Sequence, residues 1–185
     1  MLLAGGGEAD LALALESWLR AFGAALLRGE TTLLDPLCYN LANNLLRGVA
    51  RRVLPAAADT ALRWLAADTI LCRKFGIGGD SVLSHLLLVD AGLEHGYLPE
   101  SWPAVLRDDL NLPRTLDGIL AKAIDRARRS DMPLEMALCF KRKVLLTRSR
   151  ETARAAFDEA AALLREIGSR AELRKLRAAW QSRWH

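Results

Sequence analysis

Three histidines, three cysteines and 22 carboxylates are the side chains with which this 185-residue chain could do acid–base, metal or nucleophilic chemistry. His85, Asp90 and His95 form its one local acid–base grouping. On a helix, steps of five residues place successive members about 140° apart, so the three do not share a face. Zinc ligands on one helix prefer i and i+4 instead. His85 sits in an apolar run and reads as a hydrogen-bonded core histidine; His95, near a helix end, has more freedom to turn toward a partner. Ser81 and Ser84 lie near His85, and Cys72 precedes it, but no nucleophile elbow or cysteine-protease signature surrounds them. Cys38, Cys72 and Cys139 are widely separated, with no CxxC pair. Neither a disulfide framework nor a structural zinc site is expected, and buried thiols in a reducing interior are. Gly76-Ile77-Gly78-Gly79 lacks the Lys-Ser/Thr of a P-loop and the third glycine of a dinucleotide fingerprint, so it reads as a break between helices. Asp108, Asp109 and Asp117 read as solvated acids that pair with Arg107 and Arg114. No catalytic residue, no metal and no cofactor is expected from this inventory.

Cations give the sharpest pattern. Residues 1–121 hold 10 Lys+Arg against 14 Asp+Glu, a net of −4; residues 122–185 hold 16 against 8, a net of +8. Only 5 of the 26 cations are Lys, so the basic surface is one of guanidiniums, which grip phosphates and carboxylates in two parallel bonds. The clusters are Arg126, Arg128 and Arg129; Lys141, Arg142 and Lys143; Arg148, Arg150 and Arg154; and Arg170, Arg174, Lys175 and Arg177. Set along one side of a helical layer, they would neutralise the phosphates of a nucleic acid. No helix-turn-helix, zinc-finger or ribonucleoprotein motif accompanies them. Paired with glutamates, they would be a solvated helix face.

The elements carrying these groups are helices. Leu and Ala dominate, while Val, Ile, Thr and the aromatics are few, and no segment alternates apolar with polar residues as a half-buried strand does. The expected architecture is all-α, with seven to eight helices in a bundle or short repeat-like array. The first runs over about 9–28 on Leu11, Leu15, Trp18, Leu19, Phe22 and Leu26, closed by Gly29. Asp35 caps the second, with Pro36 at its first position. Pro55 opens the third, to about Lys74, with Leu62, Leu65, Ala66 and Ile70 inward. Asp80 caps the fourth, which ends at Gly96. Residues 97–115, punctuated by Pro99, Pro103 and Pro113, form an irregular connector with a short helix over 103–110. Four helices follow, over about 116–130, from Pro133, over 151–167 and over 171–184, the last with Ser169 and Glu172 at capping-box spacing. The chain divides into an acidic helical part, 1–96, the connector, 97–115, and a basic helical hairpin part, 116–185, within one compact unit. No charge-free run of about 18 apolar residues occurs, so no membrane span is expected. The opening MLLAGGGEAD is not a secretory signal, and a cytoplasmic location is the expectation.

Within residues 134–180, Ala153, Phe157 and Ala160 fit an A-x3-F-x2-A pattern. Small residues there let paired helices approach, and the aromatic fills the gap between them. This stretch resembles a tetratricopeptide-type helical hairpin, and EAAALLREIGSRAELRKLRAAW resembles the end of such an array with its solvating helix. The family's small position on the first helix falls near Arg142. The resemblance implies protein–protein docking without catalysis. The leading expectation is therefore a non-enzymatic helical adaptor or accessory subunit, with a protein partner or self-association. The alternative is sequence-independent binding of a nucleic-acid backbone through Arg126, Arg129, Lys141, Arg142, Lys143, Arg150, Arg154, Arg170, Arg174, Lys175 and Arg177. An enzyme centred on His85 or His95 ranks third. No membrane and no small-molecule substrate is indicated.

Overall fold

The computed structural model describes residues 8–50, 57–75, 82–110 and 112–184. Among these residues lie eight α-helices and no strand, so the chain is all-α: α1 (Glu8–Arg28), α2 (Thr31–Ala50), α3 (Ala58–Phe75), α4 (Val82–His95), α5 (Leu116–Arg129), α6 (Pro133–Leu146), α7 (Arg150–Glu166) and α8 (Arg170–Trp184). Between α4 and α5 come a 3-10 turn, Pro99–Ser101, and a π-helical turn, Val105–Asp109, where a regular short helix is expected from sequence. Expectations for Pro55, Gly76 to Gly79, Asp80 and Ser81 lie outside the described residues.

The second helix departs most from its expected start. It begins at Thr31, and Pro36 sits inside it. The cause is local: Gly29 adopts φ +69, and the Glu30 N–H then reaches back 2.9 Å to the Ala25 carbonyl. That left-handed closure ends α1 and launches α2 at once. Pro36 lies near enough to the first turn that its missing N–H forfeits a single intrahelical bond. Asp35 is thereby freed from capping duty. The same device joins α7 to α8, where Gly168 has φ +70 and the Ser169 N–H bonds the Leu164 carbonyl at 2.9 Å. This use of the Ser169 N–H overturns the expected capping box, because the box would need that donor; the Glu172 carboxylate goes to lysines instead.

Each helix packs on its neighbour in sequence. In addition α2 touches α4, α4 touches α6, and α6 touches α8. The even-numbered helices thus form one continuous layer, and α3, α5 and α7 each lie against two consecutive members of it. One apolar cluster runs from α2 to α6 and takes in the connector, whose Trp102, Leu106, Leu110 and Leu112 are buried. The Trp102 indole N–H is satisfied by the Tyr97 carbonyl at 2.7 Å. A second cluster joins α6, α7 and α8, with Ala153, Ala156 and Ala160 buried against Ala137, Phe140 and Val144. Small side chains there permit close approach of the helices.

At the other end, α1 has fewer neighbours. Phe22 meets Trp64 of α3 edge-on at 5.0 Å. Leu19 and Leu26, expected inward, are 49% and 56% exposed, because an end helix is covered on one side only. Ile70, also expected inward, is 41% exposed. No described helix is long and apolar enough to cross a membrane.

Candidate functional site

The even-numbered layer encloses a cleft of about 380 Å³. Four helices supply its walls: Tyr39, Asn43, Leu46, Arg47 and Ala50 from α2; Leu83, Leu86, Leu87, Asp90, Glu94 and His95 from α4; Leu138 and Arg142 from α6; and Lys175 from α8. Leucines make its floor and ionisable groups its rim, the usual make-up of a binding concavity.

Arg142 and Asp90 fix its geometry. Arg142 Nε donates to Asp90 Oδ1 at 2.9 Å, Nη2 donates to Oδ2 at 2.5 Å, and Nη1 donates to the Leu138 carbonyl at 3.2 Å. Both side chains are less than one-fifth exposed. Burial alone would lower the guanidinium pKa, but the hydrogen bonds and charge of Asp90 outweigh it and hold it above its ordinary value. This pair clamps the acidic part of the chain to the basic part. Arg142 thus extends from α6 to α4.

A second charge group ties α6 to α8. Glu172 accepts from Lys141 Nζ at 3.0 Å and from Lys175 Nζ at 2.6 Å. Burial opposes the Glu172 charge, yet the bonds from Lys175 and Lys141 hold its pKa below the ordinary carboxylate range. At the rim, Arg47 is exposed and, among the described residues, has no carboxylate within ion-pair distance.

The other sequence-selected cations are dispersed. Arg129 pairs with Asp125 at 2.8 Å and Arg154 with Asp158 at 2.9 Å, each within its own helix. Arg154 also lies over the rings of Phe157 and Trp180, at 5.5 and 5.7 Å. Arg126 and Lys143 are half-buried, and Arg150 is exposed at the start of α7. Arg170, Arg174 and Arg177 are exposed on α8 and, with Leu173, line a surface depression of about 390 Å³. Among the described residues none of the three has an ion-pair partner.

The acid–base candidates separate. His95 lines the cleft, 6.4 Å from the Tyr97 ring, whereas His85 is buried in α4 and is not part of the lining. Asp90 is engaged by Arg142. Asp108 pairs with Arg107 at 3.1 Å, as expected. Ser84 points into the core and donates a short hydrogen bond to Asp68.

Sequence reasoning missed Tyr39, Arg47 and Glu94, because they meet only when α2 is laid beside α4. It also missed a buried polar group: Asp35 on α2 with Asp68 and Cys72 on α3. No local motif joins residues that far apart in sequence. The one available signal was an aspartate, Asp68, on the apolar side of a helix beside Leu65 and Cys72. No protein-family model matches the chain, and neither a curated protein nor a solved structure does.

Proposed function

We propose that the chain is a docking module whose α2–α4–α6–α8 cleft takes an extended segment of a protein partner. One observation carries this reading: four helices contribute to a concavity that combines a leucine floor with an exposed Arg47 at its rim, which among the described residues has no ion-pair partner. Stacked helix pairs use such concave layers for peptide recognition. The tetratricopeptide-like pattern at Ala153, Phe157 and Ala160 agrees with it, because all three side chains pack in the α6–α7–α8 cluster. The fitting partner segment bears apolar side chains for the floor and a carboxylate for Arg47. Selection from a displayed library of random peptides tests this. Sequences that combine an acid with leucine-like residues should be enriched, and Arg47→Glu should weaken them at least about tenfold, the worth of one charge-assisted bond. Enriched peptides that bind Arg47→Glu equally well would remove the cleft as the docking site.

A second reading is favoured by a different surface, the α8 stripe. Arg170, Arg174 and Arg177 recur at i, i+4 and i+7 and, among the described residues, are not consumed by internal pairs. They would neutralise phosphates of a nucleic-acid backbone without reading sequence. Binding to single-stranded RNA or duplex DNA should then fall steeply with salt. Replacing all three by Glu should abolish it with the helical spectrum unchanged; undiminished binding would exclude the stripe.

A further inference from the structure

The α2–α3 seam holds ionisable groups that the cleft does not use. Asp35 comes from α2, and Asp68 and Cys72 come from successive turns of α3. Their nearest ligand atoms all lie within 4.8 Å of one another. Asp68 is fully buried and Cys72 nearly so, while Asp35 is half-buried. Cys72 Sγ lies 3.8 Å from Asp68 Oδ1, and Ser84 Oγ holds the other carboxylate oxygen from α4. Burial, with the Asp35 carboxyl close by, favours the neutral form of Asp68. Cys38 follows Asp35 by one helical turn and so shares its side of α2. Its thiol is fully buried and, among the described residues, has no hydrogen-bond partner. The groups that act on it electrostatically are Asp68, Asp35 and Cys72.

We propose that Asp35, Asp68 and Cys72, with Cys38 as the fourth group, bind a divalent cation of zinc type between α2 and α3. Two carboxylates and two thiols are the donor chemistry of a small tetrahedral ion. Ligands of such an ion sit about 3.4–3.8 Å apart, so modest rotation of Asp35, Asp68 and Cys72 from within 4.8 Å suffices, and Cys38, outside that spacing, must turn further to join them. Ser84 supplies the outer hydrogen bond that orients a ligating carboxylate. Asp35 is the half-buried member of the set, and the other three are buried. Without a cation the seam keeps its protons: burial and the neighbouring Asp35 push Asp68 up to about 8. The same helical array thus carries the site independently of whatever the cleft docks.

Cobalt(II) titration of the full chain, reduced and stripped with a chelator, tests the site. The expected result is one cobalt per chain, with a sulfur-to-cobalt charge-transfer band in the near ultraviolet and tetrahedral visible bands, all bleached by zinc. Cys139→Ser, which alters a buried thiol in α6 outside the seam, should leave those bands intact. The double variant Cys38→Ser/Cys72→Ser should lose the charge-transfer band, and Asp68→Asn should weaken cobalt uptake at least about tenfold. A wild-type chain that shows no such band and retains no metal after desalting overturns the proposal, whatever the variants do. So does a band that survives in the double cysteine variant. In the first of those outcomes the seam is a buried cluster of acids and thiols only.

Discussion

Two aspartates in neighbouring seams of the molecule meet opposite fates. Asp90, on α4, is less than one-fifth exposed and is gripped by both arms of Arg142. Asp68, on α3, is fully buried and meets a serine hydroxyl, a thiol and another carboxyl, and no cationic side chain among the described residues pairs with it. Both residues lie on helices rich in leucine and alanine, and neither helix marks its aspartate as special. What differs is the facing helix: α6 brings a guanidinium, and α2 brings Asp35. A buried carboxyl given a cation makes a clamp, whereas one given a second carboxyl retains a proton or awaits a metal.

Among single substitutions at neutral pH, the largest loss should come from Arg142→Met, which leaves Asp90 partly buried without its partner. A loss of about 3 kcal/mol is expected in urea unfolding, from the range for breaking such pairs. Adding Asp90→Leu should recover much of it. A loss under about 1 kcal/mol would mean that the pair behaves as a surface bridge and that the contrast with Asp68 is false.

Asp68 sharpens the other side. Its folded-state pKa is raised to about 8 from 3.8, so the folded chain holds a proton that the unfolded chain has released across that window. In metal-free protein, stability should therefore fall as pH rises from about 4 to about 8, by at most about 1.4 kcal/mol per pH unit. Asp68→Asn should flatten that slope in chelator-treated samples. A wild-type chain already flat over the window would show that Asp68 is ionised like any surface acid.

Gly29 and Gly168 give a matched pair of the next size. Both turns need a positive φ, and at neither glycine would an added Cβ meet another atom within 4 Å, so Gly→Ala is a pure backbone test. Each should cost about 1 kcal/mol. A markedly larger loss at Gly168 would mean that the α7–α8 closure carries more of the fold than the α1–α2 closure.

Glu172→Gln should have the smallest effect. Glu172 has a depressed pKa, so its contribution is present above the unfolded carboxylate range and is lost as pH falls through the folded value. The variant should differ from wild type at neutral pH and converge with it in acid. Convergence at alkaline pH instead would contradict the two lysine bonds.

The fold class and most helix limits were legible because hydrophobic periodicity and the breaks made by glycine and proline are local. The caps themselves went unread: Thr115 accepts from the Gly118 N–H at 3.1 Å and starts α5, and Ser149 accepts from the Thr152 N–H at 3.3 Å and starts α7. Both sites were less legible, for a physical reason visible in particular residues. Arg142 counts as one cation among three in Lys141-Arg142-Lys143, and only α4 turns it into a clamp. Asp35 reads as an N-cap until Gly29 starts α2 earlier and α3 brings Asp68 within 4.8 Å of its carboxyl.

By itself, then, the sequence determined an all-helical chain, its glycine stops and its uneven charge, since each follows from backbone propensity and composition within a turn or two. The tertiary structure decided which charges are consumed and which remain. Arg142 and Lys141 were assigned to internal pairs, Arg47 to a cleft rim, and Asp35, Asp68, Cys38 and Cys72 to one seam. Those outcomes depend on desolvation and on partners from other helices, and neither quantity exists until the layers are packed.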